Sequence, residues 1–144
     1  RDNFFKFWFR FVFENQEYIE QEKQDKLLDE KIMPELNTFA GRIFEDIAIS
    51  ELIRNKRYKD YFFGRWWDKN SEADIVGIDK QNKKILVGEV KFKSLTKSDI
   101  NEIKFSLIEK AKKINSFNFE QKLVIVCLDC DYEDKDLEII KLEN

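Results

Sequence analysis

Ile85-Leu86-Val87-Gly88-Glu89-Val90-Lys91-Phe92 (ILVGEVKF) reads as a buried strand, yet it carries a carboxylate and an amine near its end. Side chains alternate along a strand, so Ile85, Val87, Glu89 and Lys91 share one face while Leu86, Gly88, Val90 and Phe92 share the other. Glu89 and Lys91 are therefore neighbours in space. Taken alone, such a triplet also fits a solvated strand end with an ordinary ion pair. Its meaning depends on what the surrounding elements bring to the same place.

Working outward, the two-residue period holds upstream. YKDYFFGRWWD (58–68) and ADIVGID (73–79) are short, rich in aromatic and β-branched residues, and bounded by polar turns such as DKQNKK (79–84). With ILVGEVKF they predict a three-stranded meander. Downstream, Ile100, Ile103, Leu107, Ile108, Ala111 and Ile114 recur at helical spacing behind Thr96 or Ser98 as cap. KLVIVCLD (122–129) follows as an apolar central strand, and LEIIKLE (137–143) as a last, edge-like strand. On the N-terminal side, NTFAGRIFEDIAISELIRNK (37–56) predicts a helix capped by Asn37 or Thr38, with Phe39, Ile43, Phe44, Ile47, Ala48 and Leu52 on its apolar side. DKLLDEKIM (25–33) predicts a shorter helix stopped by Pro34. The opening NFFKFWFRFVFENQEYIE (3–20) carries aromatics all round a helical wheel, and such a helix must be covered all round. Either it threads a core or it packs on a further domain. A helix between strands implies a crossover, so the expected class is α/β with a mixed sheet.

A chain of 144 residues suits one domain with a real core. Its net charge of −3 argues against a surface coated with phosphate-binding lysines and confines any nucleic-acid contact to a local patch. Histidine is absent, which excludes imidazole-based triads and most zinc sites and leaves catalysis to carboxylates and lysines. The only cysteines, Cys127 and Cys130, form neither a zinc site nor a disulfide framework and read as reduced strand-end residues. No apolar run would span a bilayer and no signal peptide is visible, so a cytoplasmic setting without membrane association is expected. The chain begins at Arg1, which suggests a fragment.

Two further carboxylates give the triplet company. Asp74 opens the strand before it, where a hairpin brings it beside Glu89. Glu45 has Ala48, Ile49 and Leu52 as its helical neighbours, so it lies on or beside an apolar face. A charge there is costly unless paired or metal-bound, although a rim carboxylate can also reach water. Glu45, Asp74, Glu89 and Lys91 together resemble the core of the PD-(D/E)XK nuclease superfamily, in which a helix supplies an acid, the second strand an aspartate and the third an E-x-K. Ala73 stands where that family carries proline. The resemblance implies a restriction-endonuclease-like αβββαβ core, here with an extra edge strand, preceded by N-terminal helices. A narrower resemblance rests on FFKFWFRFVFENQEYIE, FAGRIFEDIAISEL, GRWWDKNSEADIVGID and LVGEVKF. These are similar to the C-terminal domain of a family of archaeal and bacterial P-loop (AAA/STAND-type) ATPases. That likeness implies an ATPase core and a winged helix elsewhere in a longer protein, since no GxxxxGK[ST] occurs here. It divides the chain into a junction segment, 1–34, and a nuclease-like domain, 35–144.

The implied chemistry is phosphodiester hydrolysis of DNA with Mg²⁺ or Mn²⁺, which hard carboxylate oxygens hold. Asp74 and Glu89 would bind the ion, with Glu45 acting through water or on a second ion. Lys91 would orient or deprotonate the attacking water. Glu72 is an auxiliary candidate, two residues before Asp74. Arg65, Trp66, Trp67 and Lys69 are candidates for gripping phosphate and stacking on bases, although alternation buries one of the two indoles. The lysines of EKAKKIN (109–115) read mainly as a solvated face. The rival reading is a non-catalytic DNA-binding or docking module that regulates the ATPase. Either reading accommodates a homo-oligomer.

Overall fold

In the computed structural model, which describes residues 2–142, ILVGEVKF lies inside the longest strand of a five-stranded sheet. The helices are α1 (Asn3–Phe7), α2 (Gln16–Glu20), α3 (Gln24–Leu27), α4 (Met33–Arg54) and α5 (Lys97–Ile114). The strands are β1 (Phe62–Trp67), β2 (Glu72–Asp79), β3 (Lys84–Leu95), β4 (Glu120–Cys130) and β5 (Leu137–Lys141). Their spatial order is β1-β2-β3-β4-β5, antiparallel from β1 to β3 and parallel from β3 to β5. This is the mixed α/β sheet, αβββαβ with an added edge strand, that the sequence implies. The expected extension of the last strand to Glu143 lies outside the described residues.

By contacts the chain separates into Arg1–Ile43 and Phe44–Asn144, and the division falls within α4. In the second unit both faces of the sheet are covered. Ile85, Val87, Leu123, Ile125 and Cys127 meet Ile100, Leu107 and Ala111 of α5 on one face. On the other, Ile75, Leu86, Val90, Val124 and Val126 meet Phe44, Ala48 and Leu52 of α4. Burial on two faces explains why β3 and β4 are almost continuously apolar. Ile47, expected on the apolar side of its helix, is instead exposed. Thr96 caps α5 in a reciprocal box, its hydroxyl accepting from the Asp99 N–H while the Asp99 carboxylate accepts from the Thr96 N–H. Only that one residue separates β3 from α5. The return from β4 to β5 is held by Lys104 of α5, which donates to Asp134 at 2.7 Å and to Asp136 at 3.2 Å.

In the first unit the opening run is helical from Asn3 to Glu20, with a π-helical turn at Trp8–Val12 and a 3₁₀ turn at Phe13–Asn15. Phe11 is buried against the rings of Phe7 and Phe39, whereas Phe4, Phe5, Phe9 and Phe13 remain exposed. The expected stop at Pro34 does not occur. A π-helical turn at Leu28–Ile32 leads directly into α4, with Pro34 as its second residue. Proline lacks an N–H and crowds the carbonyl four residues back. The widened turn falls where that bond would have formed. Asn37 and Thr38 therefore lie inside α4 and cap nothing.

No helix among the described residues is long and apolar enough to cross a membrane. Gly88 of β3 lies where backbone of β4 and a side chain of β2 both come close. A Cβ there would stand 3.1 Å from the Val124 carbonyl oxygen and 3.3 Å from the Ile75 Cβ. Backbone cannot step aside as a side-chain tip can, so Gly88→Ala should cost about 1–3 kcal/mol. Urea unfolding measures this, and an unchanged midpoint would show that the strands can part at no cost.

Candidate active site

Asp74 owes its position to an irregularity in the sheet. β1 pairs with β2 as far as Gly64↔Val76 and resumes at Trp66↔Ala73, so Asp74 and Ile75 together face the single Arg65. This is a β-bulge, a device that bends a strand and re-aims its side chains. Its effect shows in the core: Ala73 packs on the α5 side and Ile75 on the α4 side, although an unbroken strand would put both on one face. On the other side of β2 the pairing with β3 reaches Ile75↔Gly88. Beyond that rung, the Val90 N–H donates to Asp74 Oδ2 at 2.8 Å. The carboxylate thus takes up a main-chain donor of β3 and is held between the two strands.

Glu89 and Lys91 project toward α5. Lys91 Nζ donates to Glu89 Oε1 at 3.1 Å, and Lys110 Nζ of α5 donates to Oε2 at 2.8 Å. Side-chain exposure is 14% for Glu89, 15% for Lys110 and 37% for Lys91. A cavity of about 480 Å³ opens beside them, lined by Glu89, Lys91, Lys93, Asp99, Glu102, Ile103 and Ser106. Lys110 was missed by the sequence reading, which placed its stretch on a solvated face. Its signal was its position next to buried Ala111 and three residues after buried Leu107, at the rim of the apolar stripe.

Burial pushes the Asp74 carboxyl up from the usual range, and the charge of Glu89 pushes it further; the Val90 N–H, Lys91 and Lys110 work in the opposite direction. Glu45 is also raised, first by burial and then by Asp74, with Arg65 opposing. Glu45 pairs with Arg65 at 2.9 Å. It stands on α4, which covers the face of the sheet opposite α5, and it lies within reach of the Asp74 charge. Among the described residues, no group of three or more Asp, Glu or Cys side chains is arranged to hold a metal ion. What the structure does bring together is Asp74, Glu89, Lys91 and Lys110. Two carboxylates whose repulsion raises one of them fit Mg²⁺ or Mn²⁺, since such ions commonly use one or two protein carboxylates together with a substrate phosphate.

The other candidates are dispersed. Glu72 is exposed opposite Trp67, and its charge is felt by Glu45. Arg65 is engaged by Glu45 and Asp46. Trp66 packs against the α5-side core, while Trp67 is 73% exposed, which resolves the indole pair as alternation required. Lys69 is exposed in a turn whose Asp68 accepts from the Asn70 and Ser71 N–H groups. Cys127 lies opposite Lys91 on β4, fully buried, with its thiol pushed up to about 11 by burial. Both cysteines are free and buried, and Cys127 has the character of a packing residue.

The site thus sits on a five-stranded mixed α/β sheet covered by a helix on each face, with Asp74 on its second strand and Glu89 and Lys91 on its third. The chain belongs to the family described as "Archaea bacterial proteins of unknown function" (DUF234), whose model matches residues 8–103. It is 35% identical over 131 residues to "Uncharacterized protein MJECL04" of Methanocaldococcus jannaschii; the match takes in 88% of this chain and 29% of that relative's length. Among solved structures it is similar to a repair endonuclease from Pyrococcus abyssi (TM-score 0.46, 19% identity, 69% of this chain and 46% of that one). It is also similar to the EndoMS-dsDNA2 complex (TM-score 0.45, 16% identity, 68% and 44%).

The raised Asp74 has a pH signature. A carboxyl raised in the folded chain holds its proton more tightly there, so its contribution to stability is present at low pH and is lost as pH climbs through the raised value. Asp74→Asn removes that loss and keeps an oxygen to accept from Val90. The variant should gain on the wild type as pH rises from about 4 toward neutrality and should converge with it below. Urea unfolding across pH checks this. An offset independent of pH would show that Asp74 does not titrate with folding.

Proposed function

We propose that this chain contains a Mg²⁺- or Mn²⁺-dependent nuclease domain that hydrolyses phosphodiester bonds of DNA. The observation that carries the reading is the bulge that sets Asp74 beside Glu89, with Lys91 3.1 Å from Glu89 at the wall of an open cavity. Asp74 and Glu89 would hold the ion, which when bound supplies an acidified water and neutralises charge on the phosphate. Lys91 is the more exposed of the two lysines on Glu89. Its ammonium, at the cavity wall, would orient the attacking water. Glu45, on α4, feels the charge of Asp74 and pairs with Arg65. Trp67 and Lys69, both exposed on the β1–β2 hairpin, are the groups best placed to meet a strand of DNA. In a longer protein the domain would work beside a P-loop ATPase and a winged helix, with the ATPase controlling access to DNA.

The second reading, a docking module without catalysis, is favoured by one observation: both Glu89 oxygens are already paired with lysines. The two readings separate in paired assays. Cleavage of single-stranded, double-stranded and branched DNA is followed with Mn²⁺, and binding of the same DNAs with Ca²⁺. A nuclease should lose at least about 100-fold in cleavage rate on Lys91→Ala while keeping its DNA affinity within a few-fold. Asp74→Ala should lose cleavage together with the stabilisation that Mn²⁺ confers. Binding without cleavage by the wild type would leave the docking module.

A further inference from the structure

Lys110 reaches the site from a different element than the rest of it. Glu89 has two oxygens: Lys91 holds one from the same strand, and Lys110 holds the other at 2.8 Å from α5. The pair is largely withdrawn from water, at 15% and 14% side-chain exposure. In such surroundings charge must balance locally, because little solvent is present to screen it. Glu89 is paired with both Lys91 and Lys110, Glu45 shares Arg65 with Asp46, and Lys93 pairs with Asp99 at 3.2 Å. A divalent cation entering this cluster finds no Glu89 oxygen that is not already accepting from an ammonium.

We infer that Lys110 is a positioning residue that makes divalent-cation binding and DNA binding at this site depend on one another. This rests on Asp74 and Glu89 being the ligands of the ion. For a cation to take Glu89 Oε2, the Lys110 ammonium must leave it. A phosphodiester arriving with the ion brings negative charge that offsets part of the ion's own and offers the displaced ammonium a new partner. Each ligand therefore favours the other, and by linkage the effect is reciprocal. The coupling weakens metal binding until a nucleic-acid strand is present.

The test is calorimetric titration of Ca²⁺, with and without a DNA duplex, into the wild type, Lys110→Gln, Lys110→Met and Lys110→Arg, with Asp74→Ala as control. Lys110→Gln removes the charge but can still donate to Glu89. Lys110→Met keeps only the packing of the stem. In the wild type, DNA should tighten Ca²⁺ binding. Without DNA, Lys110→Gln should bind Ca²⁺ on the order of tenfold tighter than the wild type, and DNA should add less to it. Lys110→Met should behave alike, and Lys110→Arg like the wild type. A lysine that merely braces α5 against β3 would not tighten metal binding when removed. Hence Ca²⁺ binding no tighter than wild type in a folded Lys110→Gln or Lys110→Met protein overturns the inference and leaves the ligand assignment standing. If Ca²⁺ binding is absent from wild type and variants alike, or survives Asp74→Ala unchanged, the ligand assignment fails and the exchange fails with it.

Discussion

The hydrogen bond from the Val90 N–H to the Asp74 carboxylate is the interaction on which the site depends. It stands where a backbone rung between β2 and β3 would otherwise form. The pairing of β2 with β3 ends at Ile75↔Gly88, and a buried main-chain donor beyond that rung is costly if left unpaired. The aspartate meets that need and is held in return, its rotamer set by a rigid strand rather than by solvent. The same bond makes the charged form of Asp74 more tolerable in a place where burial and Glu89 both oppose it. Fold and chemistry are thus joined at one atom. The Val90 donor is satisfied by the Asp74 side chain, and that side chain is held by the strand it satisfies.

Around that point the charges form a graded chain. Glu45 feels Asp74 and Asp74 feels Glu89; Glu45 pairs with Arg65 of β1, Glu89 with Lys110 of α5 and with Lys91 of its own strand, and Asp74 accepts from the Val90 N–H. Such an arrangement lets three acids stand close through the sheet without being drawn into one cage. It also means that a change at one of them is communicated by field and not only by contact.

Much of this was legible in the sequence, and the exceptions have physical causes. The partition of β3 into two faces was readable because alternation is a property of the strand itself, and α5 was readable because its apolar spacing and the Thr96 cap agree. Asp74, Glu89 and Lys91 stood out for the same local reason. The bulge was invisible because it is defined by the pairing of β2 with β1, not by any residue of β2 alone. Pro34 misled because the rule that proline ends a helix presumes an α ladder, and here the ladder widens before it. Glu45 was legible as a carboxylate beside an apolar face, but its partner Arg65 was not, because a helical wheel does not say which strand residue will meet it. Lys110 hid among lysines because its importance lies in what stands across from it.

The junction between β3 and α5 carries a lesson about change in this lineage. One residue, Thr96, joins the strand that bears Glu89 to the helix that bears Lys110, and its capping box locks the helix start. The register of the helix is therefore tied to the register of the strand, like two gears cut from one shaft. A point substitution on the outer face of α5 leaves that gearing untouched. Inserting or deleting a single residue between Thr96 and Lys110 would turn everything beyond it by about 100° and carry the ammonium away from its carboxylate. Relatives that share the site can drift in side chains along α5 but not in its length before Lys110, so variation in length must be sought in the loop beyond Ile114.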